Sequence, residues 1–316
     1  MFLQIILLVL GFVVLIKGAD IFVDGASSVA GNFKVSKILI GLTIVAFGTS
    51  APEFAVSVKS IISGNHDIVF GNVIGSNILN ILLILGVSSL FHSLTVKSNT
   101  VKKELPITML ITTLFAVLLS DSLFDNVNNA FTRGDGIILI LFFLVFIYYL
   151  ISIARNKIDE NQTEEYMSLT KSFAFTIVGI ISIVLGSNLV VDSASKIALT
   201  MGVSQKLISL TIIALGTSLP ELVTSVTATK KGEYDIAIGN VVGSNIFNIG
   251  LVIGLPVAIY GGVSQINFNI VDLVVMLISA VLLFVFSFKN YKITKKEGLV
   301  FLILFVIYYS YVIYMG

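Results

Sequence analysis

The residues equipped for chemistry sit in two near-identical strings, Gly-Thr-Ser-Ala-Pro-Glu at positions 48–53 and Gly-Thr-Ser-Leu-Pro-Glu at 216–221. Each sets a carboxylate, two hydroxyls and a proline inside an otherwise apolar stretch. An ionised carboxylate at the centre of a membrane helix costs about 3 kcal/mol on insertion scales, so Glu53 and Glu221 need a compensating partner. Neither string holds a Lys or Arg to supply it. Pro52 and Pro220 donate no backbone N–H and clash with the carbonyl four residues back. Carbonyls around 46–49 and 214–217 are therefore expected to lose their helical donors. In hydrocarbon such carbonyls must find another electropositive partner. A bound cation meets both needs, with Thr49, Ser50, Thr217 and Ser218 adding oxygens.

A second string follows each of the first, GNVIGSNILN from Gly71 and GNVVGSNIFN from Gly239. Asn72, Ser76 and Asn80 recur at i, i+4 and i+8, as do Asn240, Ser244 and Asn248, so each set forms one polar stripe on a helix. Gly71 and Gly75, with Gly239 and Gly243, are expected to leave a groove in which another helix approaches closely. Asn77 and Asn245 suit either the site or the satisfaction of backbone groups at that contact. Together these groups make an all-oxygen site on four helices. Calcium takes 6–8 oxygens at about 2.3–2.6 Å, some of them anionic, and sodium is also a hard cation. Magnesium sheds water reluctantly and fits less well, and without imidazole or thiolate the site disfavours transition metals.

The elements that must position these groups follow from composition. Of 316 residues, 56% are apolar and 12% charged, and the mean hydropathy is +1.04, which puts the chain in a bilayer. A net charge of +1 and basic residues scattered over loops exclude nucleic acid as a partner. There is no cysteine, hence no disulfide or thiolate chemistry. No positive charge precedes the first apolar run and no small-x-small cleavage site follows it, so that run is expected to remain as a membrane helix. Ten runs are long enough to span: 2–23, 36–60, 68–91, 105–123, 134–153, 172–191, 204–229, 236–260, 270–288 and 298–314. The one long hydrophilic connection, 154–171, divides them into five and five. It contains Asn161-Gln162-Thr163, a glycosylation acceptor pattern that an internal location makes irrelevant.

A shift of 168 residues aligns the 46 residues from Gly41 with those from Ser209 without a gap, about half of them identical. The same shift pairs Gly18 with Gly186, Asp24 with Asp192 and Ser36 with Ser204. The chain is thus expected to be a duplicated five-helix unit: a first repeat over 1–153, a cytoplasmic loop over 154–171 and a second repeat over 172–316, in one integrated membrane domain. Five is odd, so the second repeat must enter the bilayer from the opposite side. With the N-terminus outside, inner loops hold 14 Lys and Arg, outer segments hold 4, and Lys17 lies within the first span. That asymmetry puts both termini outside. Asp24 and Asp192 fall at interfaces and read as capping or solvated groups, His66 and His92 as solvated. The C-terminal tyrosines read as an interfacial belt.

In these paired strings the chain resembles the cation/calcium exchanger superfamily, and within it the sodium/calcium exchangers, whose two repeats carry GTSxPE followed by GNxxGSN-type strings. The resemblance covers effectively the whole chain. It implies an all-α polytopic fold of ten helices in two inverted repeats, with helices 2 and 7 broken at the ion site. In that fold helices 2, 3, 7 and 8 hold the ions, while helices 1 and 6 slide outside them. By motif position it implies Glu53 and Glu221 as central calcium ligands, helped by the carbonyls of Thr49 and Thr217. Ser50, Ser218, Ser76, Ser244 and the carbonyls of Ala46 and Ala214 would line sodium sites, and Asn80 and Asn248 would complete the centre. Some relatives, including potassium-dependent exchangers, have an acid where this chain has Asn248, which makes potassium coupling less expected. The short loop has no room for the calcium-sensing domains of larger exchangers.

The expectation is a plasma-membrane antiporter exporting calcium against sodium, with no cofactor, no enzymatic activity, and calcium, sodium and lipid as its partners. A monomer satisfies the sequence, which does not fix an oligomeric state. Proton/calcium exchange is the alternative, since membrane glutamates can titrate. A passive cation channel and a two-carboxylate membrane hydrolase are weaker readings, the latter because no histidine, cysteine or soluble catalytic domain accompanies the glutamates.

Overall fold

The computed structural model describes residues 1–120, 130–155, 166–203, 208, 211–212, 214–264 and 269–315. The glycosylation pattern, the loop acids at 159–165, and Ser204, Lys206 and Ser209 lie outside them. Long apolar runs form α1 (Phe2–Phe33), α4 (His66–Phe91), α6 (Arg133–Arg155), α7 (Leu169–Thr200), α10 (Tyr234–Tyr260, which carries Pro256 in its last two turns), α11 (Ile270–Asn290) and α12 (Lys295–Met315). Each is long and apolar enough to cross a bilayer. An eighth span is the bent pair α2 (Lys37–Thr49) and α3 (Ala51–Ile62), which meet at 47°.

The two remaining expected spans map onto shorter helices. One is α5 (Leu105–Leu118), entered through the π turn Thr100–Glu104. The other is α8 (Ala214–Thr217) with α9 (Leu219–Lys230), preceded by positions that are only partly described. Conversely, α1 and α7 are 32 residues each, against 22 and 20 expected. At 1.5 Å per residue each is about 48 Å long, well beyond the hydrocarbon thickness. Polar residues such as Asp24 and Asp192 continue these helices, because an α-helix satisfies its own backbone in water as in lipid.

Burial ranks the helices. The most apolar windows of α4 and α10 are 72% and 78% buried, whereas those of the other long helices are 17–33% buried. The two helices bearing the asparagine strings are therefore the axis of the molecule. The outer wall exposes large apolar side chains, Leu144, Val145, Ile181 and Val306 among them, as expected where lipid is the solvent.

The repeats contact each other reciprocally. A Cβ on Gly41 would lie 2.9 Å from the Gly239 Cα, and one on Gly239 2.9 Å from the Gly41 Cα, so α2 meets α10 backbone to backbone. The expected groove is thus present at Gly239 and Gly243. Gly71 and Gly75 have no described atom within 4 Å. Ser209, the repeat counterpart of Gly41, lies outside the described residues, so the first-repeat groove has no described occupant. Along α1 and α7, a Cβ on Gly18 would sit 2.7 Å from the Ser182 Cβ and one on Gly186 2.6 Å from the Leu15 nitrogen. Two short antiparallel ladders repeat the exchange: β1 (Leu94–Thr95) pairs with β4 (Lys292–Ile293), and β2 (Ala130–Phe131) with β3 (Val263–Ser264). Each ties the loop after one repeat's central helix to the hairpin between the last two helices of the other.

Candidate ion site between the repeats

The two strings break their helices in the same way. Ser50, between α2 and α3, has φ −82° and ψ 6°, and Ser218, between α8 and α9, has φ −89° and ψ 5°. Pro52 and Pro220 fall in the first turns of the helices that follow, where a missing N–H is tolerated. Glu53 and Glu221 occupy the same first turns, and the positive end of the helix dipole there favours a carboxylate.

The expected loss of carbonyl partners over 46–49 needs a correction. The Ala46 carbonyl keeps a helical donor, the Ser50 N–H, at 3.0 Å. The deficit begins two residues later, at the Gly48 carbonyl, because Pro52 has no N–H with which to reach it. At the equivalent Gly216 the deficit is filled from outside, by the Ser187 hydroxyl of α7 donating at 3.0 Å. In the first repeat Ala19 stands where Ser187 stands in the second. Ala214 opens α8 on the matching side of the second break.

The carboxylates are buried, each 1% exposed, and each is held by the other repeat. The Ser50 hydroxyl donates to Glu221 Oε1 at 3.1 Å, and Ser218 donates to Glu53 Oε1 at 3.5 Å. The Thr49 hydroxyl donates to Asn240 Oδ1 at 2.9 Å, and the Thr217 side chain is directed to Glu53. Asn72 and Asn240, which showed in the sequence only as parts of a stripe, clamp the broken helices: their Nδ2 groups donate to the Glu53 and Glu221 carbonyls, both at 3.3 Å. Asn72 also reaches Ser57 and Asn240 reaches Ser225, two serines that sequence reasoning passed over although the repeat aligns them.

Asn77 and Asn245 resolve toward the structural role. Each donates to the other's main-chain carbonyl at 3.4 Å. Their Oδ1 atoms accept from Asn248 Nδ2 at 3.2 Å and Asn80 Nδ2 at 2.9 Å. With both amide nitrogens engaged in this square, the Oδ1 atoms of Asn80 and Asn248 are left over. They are buried without a partner, as are Glu53 Oε2, Glu221 Oε2 and the Ser244 hydroxyl. The Ser76 proton is engaged by the Asn72 carbonyl at 2.7 Å, leaving its lone pairs. Four acceptor oxygens facing no donor in a dry interior is an unstable arrangement unless something electropositive joins them. The π turns Asn80–Leu85 and Asn248–Ile253 begin at these same asparagines. Among the described residues no three His, Cys, Asp or Glu side chains gather at one point, so the pair Glu53 and Glu221 supplies the anionic charge here.

A cavity of about 390 Å³ lies beside the two glutamate strings. Pro52 and Thr217 line it at the site, and Ser187, Asn188 and the exposed Asp192 line it along α7. Asp192 therefore has an address the sequence did not show. Its counterpart Asp24 does not line the cavity and is bound to Lys231 at 2.7 Å.

Comparison with known proteins agrees with this geometry. Residues 3–152 and 171–314 match the family model described as sodium/calcium exchanger protein. The chain is similar to the putative antiporter CaxA of Alkalimonas amylolytica, 38% identical with 96% of each chain covered. It is also similar to the sodium/calcium exchanger MaX1 of Methanosarcina acetivorans, 33% identical with 98% of each covered. Among solved structures, the sodium-calcium exchanger NCX_Mj soaked in sodium without calcium superposes with a TM-score of 0.85 at 33% identity, over 97% of both chains. A match over nearly the whole chain, in sequence and in fold, has one meaning: this polytopic membrane protein is a transporter of the sodium/calcium exchanger protein family.

Proposed function

We propose that the chain is a secondary antiporter that exports calcium in exchange for sodium by alternating access, working in the plasma membrane. The observation that carries this reading is the set of four unpartnered buried acceptors, Glu53 Oε2, Glu221 Oε2, Asn80 Oδ1 and Asn248 Oδ1. Two carboxylates neutralise one calcium, and amide, hydroxyl and main-chain oxygens complete a hard-cation shell. Thr49 and Thr217 supply carbonyls to the centre. Ser50, Ser218, Ser76 and Ser244, with the carbonyls of Ala46 and Ala214, serve flanking sodium ions. Sodium and calcium then compete for overlapping oxygens, and that competition is the exchange. More than two sodium ions per calcium make the cycle electrogenic and voltage-sensitive.

The repeats are read as inverted, ten helices in all, with both termini outside and the 154–171 loop in the cytoplasm. This orientation turns the Asp192 cavity outward. The names borne by MaX1 and NCX_Mj support the choice of ions. Calcium uptake into proteoliposomes of defined sodium and pH gradients is the test. Flux driven by an opposed sodium gradient supports the proposal, and flux driven by a pH gradient without sodium replaces it with proton/calcium exchange. Dependence of the rate on an imposed potential tests electrogenicity separately.

A further inference from the structure

A second buried carboxylate lies well away from the ion site. Glu104 ends the π turn Thr100–Glu104 at the head of α5 and is 2% exposed. The Tyr149 hydroxyl of α6 donates to its Oε1, while Oε2 is buried and has no partner. Both side chains line a cavity of about 310 Å³. The Ser36 hydroxyl, on the same wall, is also buried without a partner. The exposed Lys103 lines it too, as does Lys97, whose ammonium is paired with Asp235 of α10 at 2.5 Å, and Ile38 and Ile153 form its apolar side. On the same stretch of α6 as Tyr149 and Ile153, Tyr148 and Ile151 expose 75% and 47% of their surface, as side chains facing lipid do.

These groups demand a particular ligand. Glu104 Oε2 requires a hydrogen-bond donor, and a charged one binds a carboxylate most strongly. A bare metal ion is disfavoured by the Lys103 ammonium and by the lack of a second carboxylate among the cavity residues. A simple anion is disfavoured by Glu104. A ligand carrying an N–H ammonium and, a few bonds away, an anion satisfies both poles, and the isoleucines accept hydrocarbon attached to it. We propose that this cavity is a binding site for a phospholipid with a primary-amine headgroup, its ammonium donating to Glu104 and its phosphate facing Lys103. Because Ser36 immediately precedes α2, a lipid bound here touches the start of the broken helix that leads to the ion site.

The test is lipid retention by the full chain in native mass spectrometry, using phosphatidylethanolamine and its mono-, di- and trimethylated forms with identical acyl chains. The N–H donor survives until the third methyl, so retention should hold through the dimethyl form and fall about tenfold at the trimethyl form, the worth of one charge-assisted hydrogen bond. Glu104→Gln should reduce that preference to near parity, while Tyr149→Phe, which leaves the carboxylate in place, should preserve it. Equal retention across the methyl series, or a preference unchanged in Glu104→Gln, overturns the proposal. The wild-type series decides the matter even if the Glu104 variant does not fold. Displacement of bound lipid by water-soluble phosphoethanolamine at equal concentration overturns the lipid assignment and gives the site to a free zwitterion.

Discussion

The turn from α3 to α4 and the turn from α9 to α10 follow nearly the same path. Gly64 has φ 71° and Gly232 φ 78°, a region that glycine enters freely. Asn65 and Glu233 follow with ψ of 64° and 58°. Their side chains differ in what they can grip. Lys231 binds Asp24 at 2.7 Å and Asp20 at 3.8 Å on α1, and Glu233 accepts from Lys37 at 3.0 Å and Ser27 at 2.9 Å. At the other end the repeat places Ser63 and Asn65, and among the described residues no cation pairs with Asp192 of α7. The clefts differ accordingly. The one of about 630 Å³ beside Lys231 is lined by Asp24, Ser28 and Glu233 and by no residue of the two glutamate strings, whereas the one beside Asp192 reaches Pro52 and Thr217. Near-identical at its centre, the molecule carries, among the described residues, ion pairs from this turn to the first helix of the other repeat at one end and not at the other.

Four experiments can break or sharpen that contrast. The largest effect belongs to the centre: Glu53→Gln and Glu221→Gln should each lower calcium flux by about 100-fold or more, since one removed partner leaves a buried charge uncompensated. Equal losses confirm that the halves are equivalent there, and wild-type flux in either variant removes the site assignment. Next, Asn77→Ala and Asn245→Ala should each destabilise the fold by about 1–3 kcal/mol, the penalty for stranding buried partners. Thermal denaturation in detergent measures this, and two very unequal shifts would contradict the reciprocal square. Ser187→Ala, which strips the Gly216 carbonyl of its donor, should change ion affinity about fivefold, the equivalent of one hydrogen bond. Isotope-exchange titration reads it, and Ala19→Ser supplies the missing donor to the other half.

The smallest effect concerns the fastening. Lys231 and Asp24 are 28% and 51% exposed, so solvent weakens their pair, and Lys231→Ser should shift the balance of accessible states only about two- to fivefold. Labelling of a cysteine placed at Ser28 should then speed up. Installing the charge at the opposite turn with Ser63→Lys should slow labelling of a cysteine at Asn188. No change in either rate would separate the ion pairs from access.

What was legible in the sequence was whatever duplication wrote twice. The glutamates, prolines and hydroxyls stood out because 168-residue spacing preserved them together, and the structure brings both strings into one cluster. Groups that break the repeat were invisible for the same reason. Ser187 has an alanine as its counterpart, so nothing marked it as the donor to Gly216. The grip of Lys231 on Asp24 spans 207 positions, a distance over which helix periodicity carries no information. Asn77 and Asn245 were recognisable as polar and paired, but their role depends on which oxygen faces which amide, a matter of register between helices from different halves. Helix ends were misjudged because hydrophobicity reports where lipid stops, not where a helix does.

The glycine contact between α1 and α7 has one more consequence. Helices ordinarily lock in axial position because side-chain ridges of one enter the grooves of the other. Gly11, Gly18 and Gly25 on α1, with Gly179 and Gly186 on α7, remove those ridges from both surfaces at seven-residue intervals. Main chain lying directly on main chain gains dispersion energy from its closeness, so the pair resists being pulled apart. Along the shared axis, Leu15 and Phe22 of α1 and Ile183 and Val190 of α7 are buried between the glycines, so an axial displacement would have to repack them. The glycines set how closely the two helices lie, and the large side chains between them set their register.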